Sequence, residues 1–223
     1  MREHFSHEPL TLTLPLQIAD RLAHGIVEEH FLPGERLKEM DLAANFGVSR
    51  ATIRESLRIL EKRRLVSIVP QHGAQVAKLS RQELEHMFDV RIVLQGLASS
   101  TLARRVTPDI DSKLQEGMEE LLAARDDGNL YARASARMSL LIAVLAQNEL
   151  LLEQLTSFAQ HIGRYARLGF MTANRREQSL RNWMRLLKAI SAGDADAAEA
   201  LHRLLSQESK AAAMAELDRR TAQ

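Results

Sequence analysis

At 223 residues, with 45% hydrophobic and 26% charged side chains, the sequence has the balance of a globular chain with one large domain or two modest ones, which excludes disordered, collagenous and fibrous classes. It contains no cysteine, so neither a disulfide framework nor a thiolate metal site is available. The amino terminus has no apolar run of signal-peptide length, and Leu140 to Ala146 is far short of the roughly 20 residues of a membrane span, so the expected location is the cytoplasm, with no membrane partner.

The formal net charge of +1 hides a local surplus. Arg50, Arg54, Arg58, Lys62, Arg63 and Arg64 stand against only Glu55 and Glu61 within one short segment, whereas the chain after Leu79 is balanced between the two signs. A near-neutral protein with its positive charge gathered in one place has a candidate polyanion-binding element there.

In chain order, Ile18, Leu22 and Ile26 recur at i, i+4, i+8 and predict an amphipathic first helix that ends before Leu32-Pro33-Gly34. A second, short helix is expected to carry Leu37, Leu42, Ala43 and Phe46 and to stop at Gly47, which tolerates the left-handed backbone of a helix end. Ser49 is placed to cap a third helix, with Val48 and Ile53 as a hydrophobic staple. On that helix Ile53, Leu57 and Leu60 mark the buried side. Arg50, Arg54 and Arg58 form a separate row about a quarter turn away, at about 100° per residue. Leu65 to Val69 and Ala74 to Ala77 then read as two strands around the turn Pro70-Gln71-His72-Gly73, a hairpin wing.

Turn residues thin out near Lys78 to Ser80, and the rest reads at helical period. About six helices are predicted there, over 81–105, 108–127, 130–147, 149–170, 175–192 and 194–218. Thr107-Pro108, Asp126-Asp127-Gly128-Asn129 and Ala192-Gly193-Asp194 supply the breaks. The expected fold is mainly α, with a winged helix-turn-helix domain of three helices and a β-hairpin over 12–79 and an all-α bundle over 80–218.

The run Leu32-Pro-Gly-Glu-Arg-Leu37, Asp41-Leu-Ala43, Phe46-Gly-Val-Ser-Arg-Ala-Thr-Ile-Arg-Glu-Ser-Leu57, Leu60-Glu61 and Gly73 resembles the winged helix-turn-helix of the GntR family. The helical remainder resembles the FadR-type effector domain, FCD, through Arg91 to Gln95, Gln147 to Leu150 and Ala189 to Asp194. The resemblance implies a homodimeric transcription regulator on a double-stranded, pseudo-palindromic DNA operator, with a small-molecule effector in the second domain. It assigns Ser49, Arg50, Thr52 and Arg54 to DNA, with Arg36, His72 and Gly73 as supporting contacts. Arginine forks suit guanine O6 and N7 or phosphate, hydroxyls suit phosphate oxygens, and glycine allows close backbone approach. Two readings stay open for Arg58 and Lys62 to Arg64, a DNA face or a solvated face, and for His72, a DNA contact or a turn residue. Met40 departs from the pattern, since it stands where the family's fatty-acid regulator has an arginine facing DNA.

Many members of the subfamily hold a divalent metal through an aspartate and three histidines. The corresponding positions here are Ser135, Ser139, Trp183 and Leu205, none of them a competent ligand, so neither a metal nor any other cofactor is expected. The expected effector pocket lies between the helices and draws on Arg91, Gln95, Ser135, Ser139, Asn148, Arg164 and Trp183. Trp183 either stacks on a ligand or plugs the former metal cavity. Without a metal anchor, the expected ligand is partly apolar, such as an acyl thioester or an aromatic acid. The alternative is a constitutive DNA-binding dimer whose second domain holds no ligand. An enzyme is not expected, because no Gly-rich phosphate loop, Gly-x-Ser-x-Gly, His-Glu-x-x-His or cysteine nucleophile is present.

Overall fold

The computed structural model describes residues 13–69 and 73–221. The chain divides between Lys78 and Leu79 into two compact units. The first holds α1 (Leu14–Val27), β1 (Arg36–Leu37), α2 (Glu39–Phe46), α3 (Arg50–Lys62), β2 (Val66–Val69) and β3 (Gly73–Val76). Ile18, Leu22 and Ile26 of α1 are buried together with Leu42 of α2 and Ile53, Leu57 and Leu60 of α3. Each such side chain contributes roughly 1.5–3 kcal/mol when fully withdrawn from water, which makes this small three-helix core the main source of the unit's stability.

The helix-turn-helix corner follows from two local choices. Gly47 takes the left-handed backbone at φ 65°, and its N–H reaches back to the carbonyls of Ala43 and Ala44, closing α2. Two residues later Ser49 caps α3, its Oγ accepting from the backbone N–H of Thr52 at 3.2 Å.

The sheet differs from the expected hairpin by one strand. Its antiparallel order is β1-β3-β2, with Arg36 and Ser67 both opposite Gln75. Leu37, expected on the second helix, lies in β1 and is buried there. The tight turn at Pro33-Gly34 brings Glu35 beside Val76, whose N–H donates to the Glu35 carbonyl at 2.9 Å, so the chain extends for two residues before α2 begins.

The second unit is a bundle of α4 (Arg81–Ala103), α5 (Pro108–Ala123), α6 (Gly128–Leu145), α7 (Glu149–Leu168), α8 (Ala173–Ser191) and α9 (Ala195–Thr221). Its helices start at identifiable caps: Ser80 with Glu83 in a reciprocal capping box, Thr107 before Pro108, Asp127, and Asn148. Helix α6 begins two residues earlier than the expected 130, because the Asp127 carboxylate accepts from the backbone N–H groups of Asn129 and Leu130.

Long helices α4 and α9 meet along a buried polar seam. The Ser206 hydroxyl donates to Gln95 Oε1 at 2.6 Å, and Ser99 Oγ and His202 Nδ1 share a hydrogen bond of 2.6 Å. Around it Phe170, Trp183, Tyr131, Leu102, Leu114 and Ile190 form a continuous apolar core.

Two helix ends in this bundle are held by one arginine. Arg176, 7% exposed, donates to the carbonyls of Arg125 (2.6 Å), Phe170 (2.9 Å), Met171 (3.1 Å) and Asp126 (3.3 Å). These carbonyls belong to the loops that follow α5 and α7, where no helical or strand partner is at hand. Only a side chain with five donors in a rigid fork satisfies all four. Arg176→Ala is expected to lower the unfolding free energy by roughly 3 kcal/mol or more, with Arg176→Lys recovering part of it. Urea titration measures both, and an unchanged midpoint in Arg176→Ala would show the fork to be dispensable.

Candidate functional site

The first candidate surface is α3. With Ile53, Leu57 and Leu60 turned into the core, the i, i+4, i+8 row of Arg50, Arg54 and Arg58 is left exposed. The hydroxyls of Ser49 and Thr52 are 2.8 Å apart, so both belong to the cap of this helix as well as to its exposed end. Arg36 and Gly73 lie together at the wing: a Cβ on Gly73, whose φ is +82°, would stand 3.8 Å from the Arg36 guanidinium. His72 lies outside the described residues.

Within the basic segment the charges divide. Arg63 is tied to Asp20 of α1 at 2.6 Å and so serves the fold, while Arg58, Lys62 and Arg64 are exposed. One further residue had no sequence signal. Glu39 at the start of α2 accepts from Arg54 Nε at 2.8 Å and lies 3.5 Å from Arg50 Nη2, across fifteen residues of chain with no motif that pairs them.

The second candidate site is a cavity inside the α4–α9 bundle. Its volume is about 50 Å³, room for a few waters as it stands. Its lining mixes apolar side chains, among them Ala132, Leu140, Leu155, Ile162, Phe170 and Leu205, with the polar Arg91, Gln95, Ser135, Ser139, Ser206 and Ser209. Arg167 completes the wall, which carries no carboxylate.

Arg91, Gln95, Ser135 and Ser139 are thus brought together as expected residues of one pocket, and three are not. Asn148 is exposed, and its Oδ1 accepts from the Leu151 N–H at 3.0 Å, capping α7. Arg164 is buried away from this wall, over the Tyr165 ring at 4.8 Å and donating to its hydroxyl at 3.1 Å. The face of α7 that meets the cavity runs through Leu155, Ala159, Ile162, Gly163 and Ala166, and at helical pitch residue 164 points elsewhere. Trp183 is fully buried in the core with its ring 5.6 Å from that of His202. Of its two readings, packing in the core is the one its position supports.

Comparison with known proteins gives this geometry a family. The profile described as bacterial regulatory proteins, gntR family, matches residues 14–76, and the FCD domain profile matches residues 86–207, more than half of the chain. The chain belongs to the GntR family and carries an FCD domain. It is 33% identical over 113 residues to the HTH-type transcriptional regulator YdhC of Bacillus subtilis, covering 51% of this chain and 50% of that protein. It is 28% identical over 119 residues to McbR of Escherichia coli, covering 53% and 54%. The chain therefore spans about half the length of these two relatives. Among solved structures, E. coli McbR/YncC superposes with a TM-score of 0.79 over 88% of this chain and 95% of that one at 22% identity. A GntR regulator from Rhodococcus sp. RHA1 does so with a TM-score of 0.76 over 90% and 97% at 21% identity, and both likenesses concern the fold. The relatives are transcriptional regulators and not enzymes.

For a GntR-family chain with an FCD domain, the four positions that resemblance gives to a metal have a definite outcome. Ser135, Ser139 and Leu205 line the cavity and Trp183 does not. Two hydroxyls and an isobutyl group do not fit a divalent cation, and the Arg91 charge on the same wall repels one. Among the described residues no three His, Asp or Glu side chains gather closely enough to hold a metal.

With Arg91 and Arg167 on the lining and no carboxylate, the electrostatics there favour an anion. Arg91 keeps part of its surface accessible, yet its guanidinium is enclosed, and burial lowers its pKa to about 10. His202, fully buried, is pushed down to about 3, first by burial and then by the Arg91 charge, against a smaller upward pull from the Gln95 backbone. It is neutral in the folded protein at pH 7. Because the folded value is depressed, between about pH 6.5 and 3 the unfolded chain binds a proton that the folded chain refuses. Stability is therefore expected to fall on acidification below pH 6.5, by up to about 1.4 kcal/mol per pH unit from this one group, and to be insensitive to it above. Urea unfolding of wild type and His202→Gln at pH 7 and pH 5 checks this. An equal loss in both proteins would show that the acid sensitivity arises elsewhere.

Proposed function

We propose that the chain is a ligand-responsive, DNA-binding transcription regulator that acts as a homodimer on a pseudo-palindromic double-stranded operator. The observation that carries the reading is the exposed row Arg50, Arg54 and Arg58 on a helix whose neighbouring face, Ile53, Leu57 and Leu60, is fully buried. A helix so arranged can enter the major groove with its arginines toward base edges, while Arg36 and Gly73 at the wing approach the neighbouring backbone and minor groove. Ser49 and Thr52, at the exposed N-terminus of α3, suit phosphate oxygens. One such helix reads only a few base pairs, and two-fold symmetry doubles the contacts. The cytoplasm is where this activity belongs.

Selection of bound duplexes from a random pool tests the reading. The expected product is a symmetric sequence, bound by a dimer in light scattering. Arg54→Ala is expected to lose about 1–3 kcal/mol of binding to it. Wild-type affinity in both Arg50→Ala and Arg54→Ala would overturn the assignment of α3.

For the FCD domain, the cavity's mixed polar and apolar lining supports an effector of matching character: an anionic group toward Arg91, Gln95, Ser135 and Ser139, and an acyl or aromatic part against Leu140, Leu155 and Phe170. No metal is needed to hold it. Apolar burial at about 25 cal/mol per Å² supplies affinity that an arginine alone does not. The limited free space, about 50 Å³, favours as second reading a constitutive dimer with a ligand-free second domain.

Thermal-shift screening separates the two, since a ligand of the native state raises the midpoint by mass action. Acyl or aromatic acids are expected to stabilise the wild type and not Arg91→Ala. Stabilisation by citrate-like anions alone would contradict the partly apolar ligand, and stoichiometric metal in tag-free protein would contradict the metal-free site.

A further inference from the structure

Arg50 and Arg54 stand one turn apart on α3, and a single carboxylate from the neighbouring α2 spans them. Glu39 Oε2 accepts from Arg54 Nε at 2.8 Å and lies 3.5 Å from Arg50 Nη2. The Arg50 and Arg54 side chains are 56% and 54% exposed and that of Glu39 is 32% exposed. Ion pairs this exposed add little to folding, because water screens the charges and the long side chains lose rotamer freedom.

Their effect on the arginines is larger than their effect on the fold. A guanidinium carries five N–H donors in one rigid plane. When Arg54 gives its Nε to Glu39, the orientation of that plane is fixed and the edge carrying Nη1 and Nη2 stays open. That edge can form two parallel hydrogen bonds to guanine O6 and N7.

An untethered arginine beside a duplex settles on the nearest phosphate, and affinity gained in this way is independent of sequence. A carboxylate between the two side chains opposes that outcome twice, by holding the arginines and by repelling phosphate. Without it, α3 keeps its charge and loses its aim.

We propose that Glu39 is a positioning residue that sets sequence specificity, holding Arg54 together with Arg50 toward base edges and away from phosphate. The proposal rests on the DNA-binding reading of α3. It also gives the sharp bend between α2 and α3 a role, since the bend is what brings the first residue of α2 beside the first turn and a half of the next helix.

The test uses the full chain, the duplex that the wild type selects from a random pool, and a scrambled duplex of equal length. Glu39→Ala is expected to lower the ratio of selected to scrambled affinity by about tenfold or more, the discrimination carried by one good arginine–guanine pair. Much of the change should appear as tighter binding to the scrambled duplex with a steeper salt dependence. Glu39→Gln, which keeps an acceptor and loses the charge, should fall between the two. In an Arg50→Ala/Arg54→Ala background, Glu39→Ala should produce neither change. The thermal midpoint of Glu39→Gln should stay near that of wild type.

A wild-type ratio in both Glu39 variants, while Arg54→Ala still loses it, would overturn the role of Glu39 and leave the reading of α3 standing. Tightening on the scrambled duplex that persists in the double-arginine background would also overturn it, by showing plain charge repulsion. A wild-type protein that selects no sequence would remove the reading of α3 and the role of Glu39 with it.

Discussion

The first unit depends on one constraint: α3 must bury one side completely while leaving a row of arginines in solvent. Ile53, Leu57 and Leu60 meet the first half of that demand at 0–2% exposure, and Arg50, Arg54 and Arg58 meet the second. The rest of the unit serves that division. Gly47 and Ser49 fix the angle at which α3 leaves α2, Arg63 anchors its far end to Asp20 of α1, and Glu39 controls the arginines at its near end. An apolar face and a basic face on one helix thus link a stable core to a surface that can engage a polyanion.

The second unit solves a different problem, that of keeping polar groups inside a helical bundle. Arg91, Gln95 and Ser99 recur at i, i+4, i+8 along α4, and Ser206 and His202 answer them from α9. These bonds satisfy most of the seam and leave the Arg91 charge facing a cavity whose wall has no acid. Burial keeps His202 neutral, so the positive charge there comes from arginine, Arg91 and Arg167. Arginine, hydroxyl and apolar side chains share this lining, and the three family metal positions that reach it, Ser135, Ser139 and Leu205, offer nothing to a divalent ion.

The sequence is most legible where the cause is local. The Ser49 cap, the left-handed Gly47, the Thr107-Pro108 start and the Gly193-Asp194 break all depend on residues a few positions apart, and each stands where the pattern predicts it. Strand β1 is hidden because two residues carry no period, and Leu37 reads equally well as the first apolar residue of a helix. Asn148 and Arg164 show the converse limit. Asn148 occupies a stretch that matches a family motif and Arg164 reads as an anion partner on a pocket helix, yet the amide of one is consumed by a helix cap and the guanidinium of the other lies over Tyr165. Arg176, Glu39 and the Ser99–His202 pair leave no trace in sequence, because their partners lie 5 to 103 residues away and the fold alone brings them together.

The central claim, that α3 reads the major groove of a two-fold symmetric site, is tested most directly by methylation interference on the selected duplex. Guanine N7 lies in the major groove and adenine N3 in the minor groove, so one reagent separates the two surfaces. Methylation at guanine N7 is expected to block binding in two symmetric clusters about one helical turn apart, with adenine N3 effects only where the wings reach. Interference confined to adenine N3, or a single asymmetric cluster, would contradict the claim.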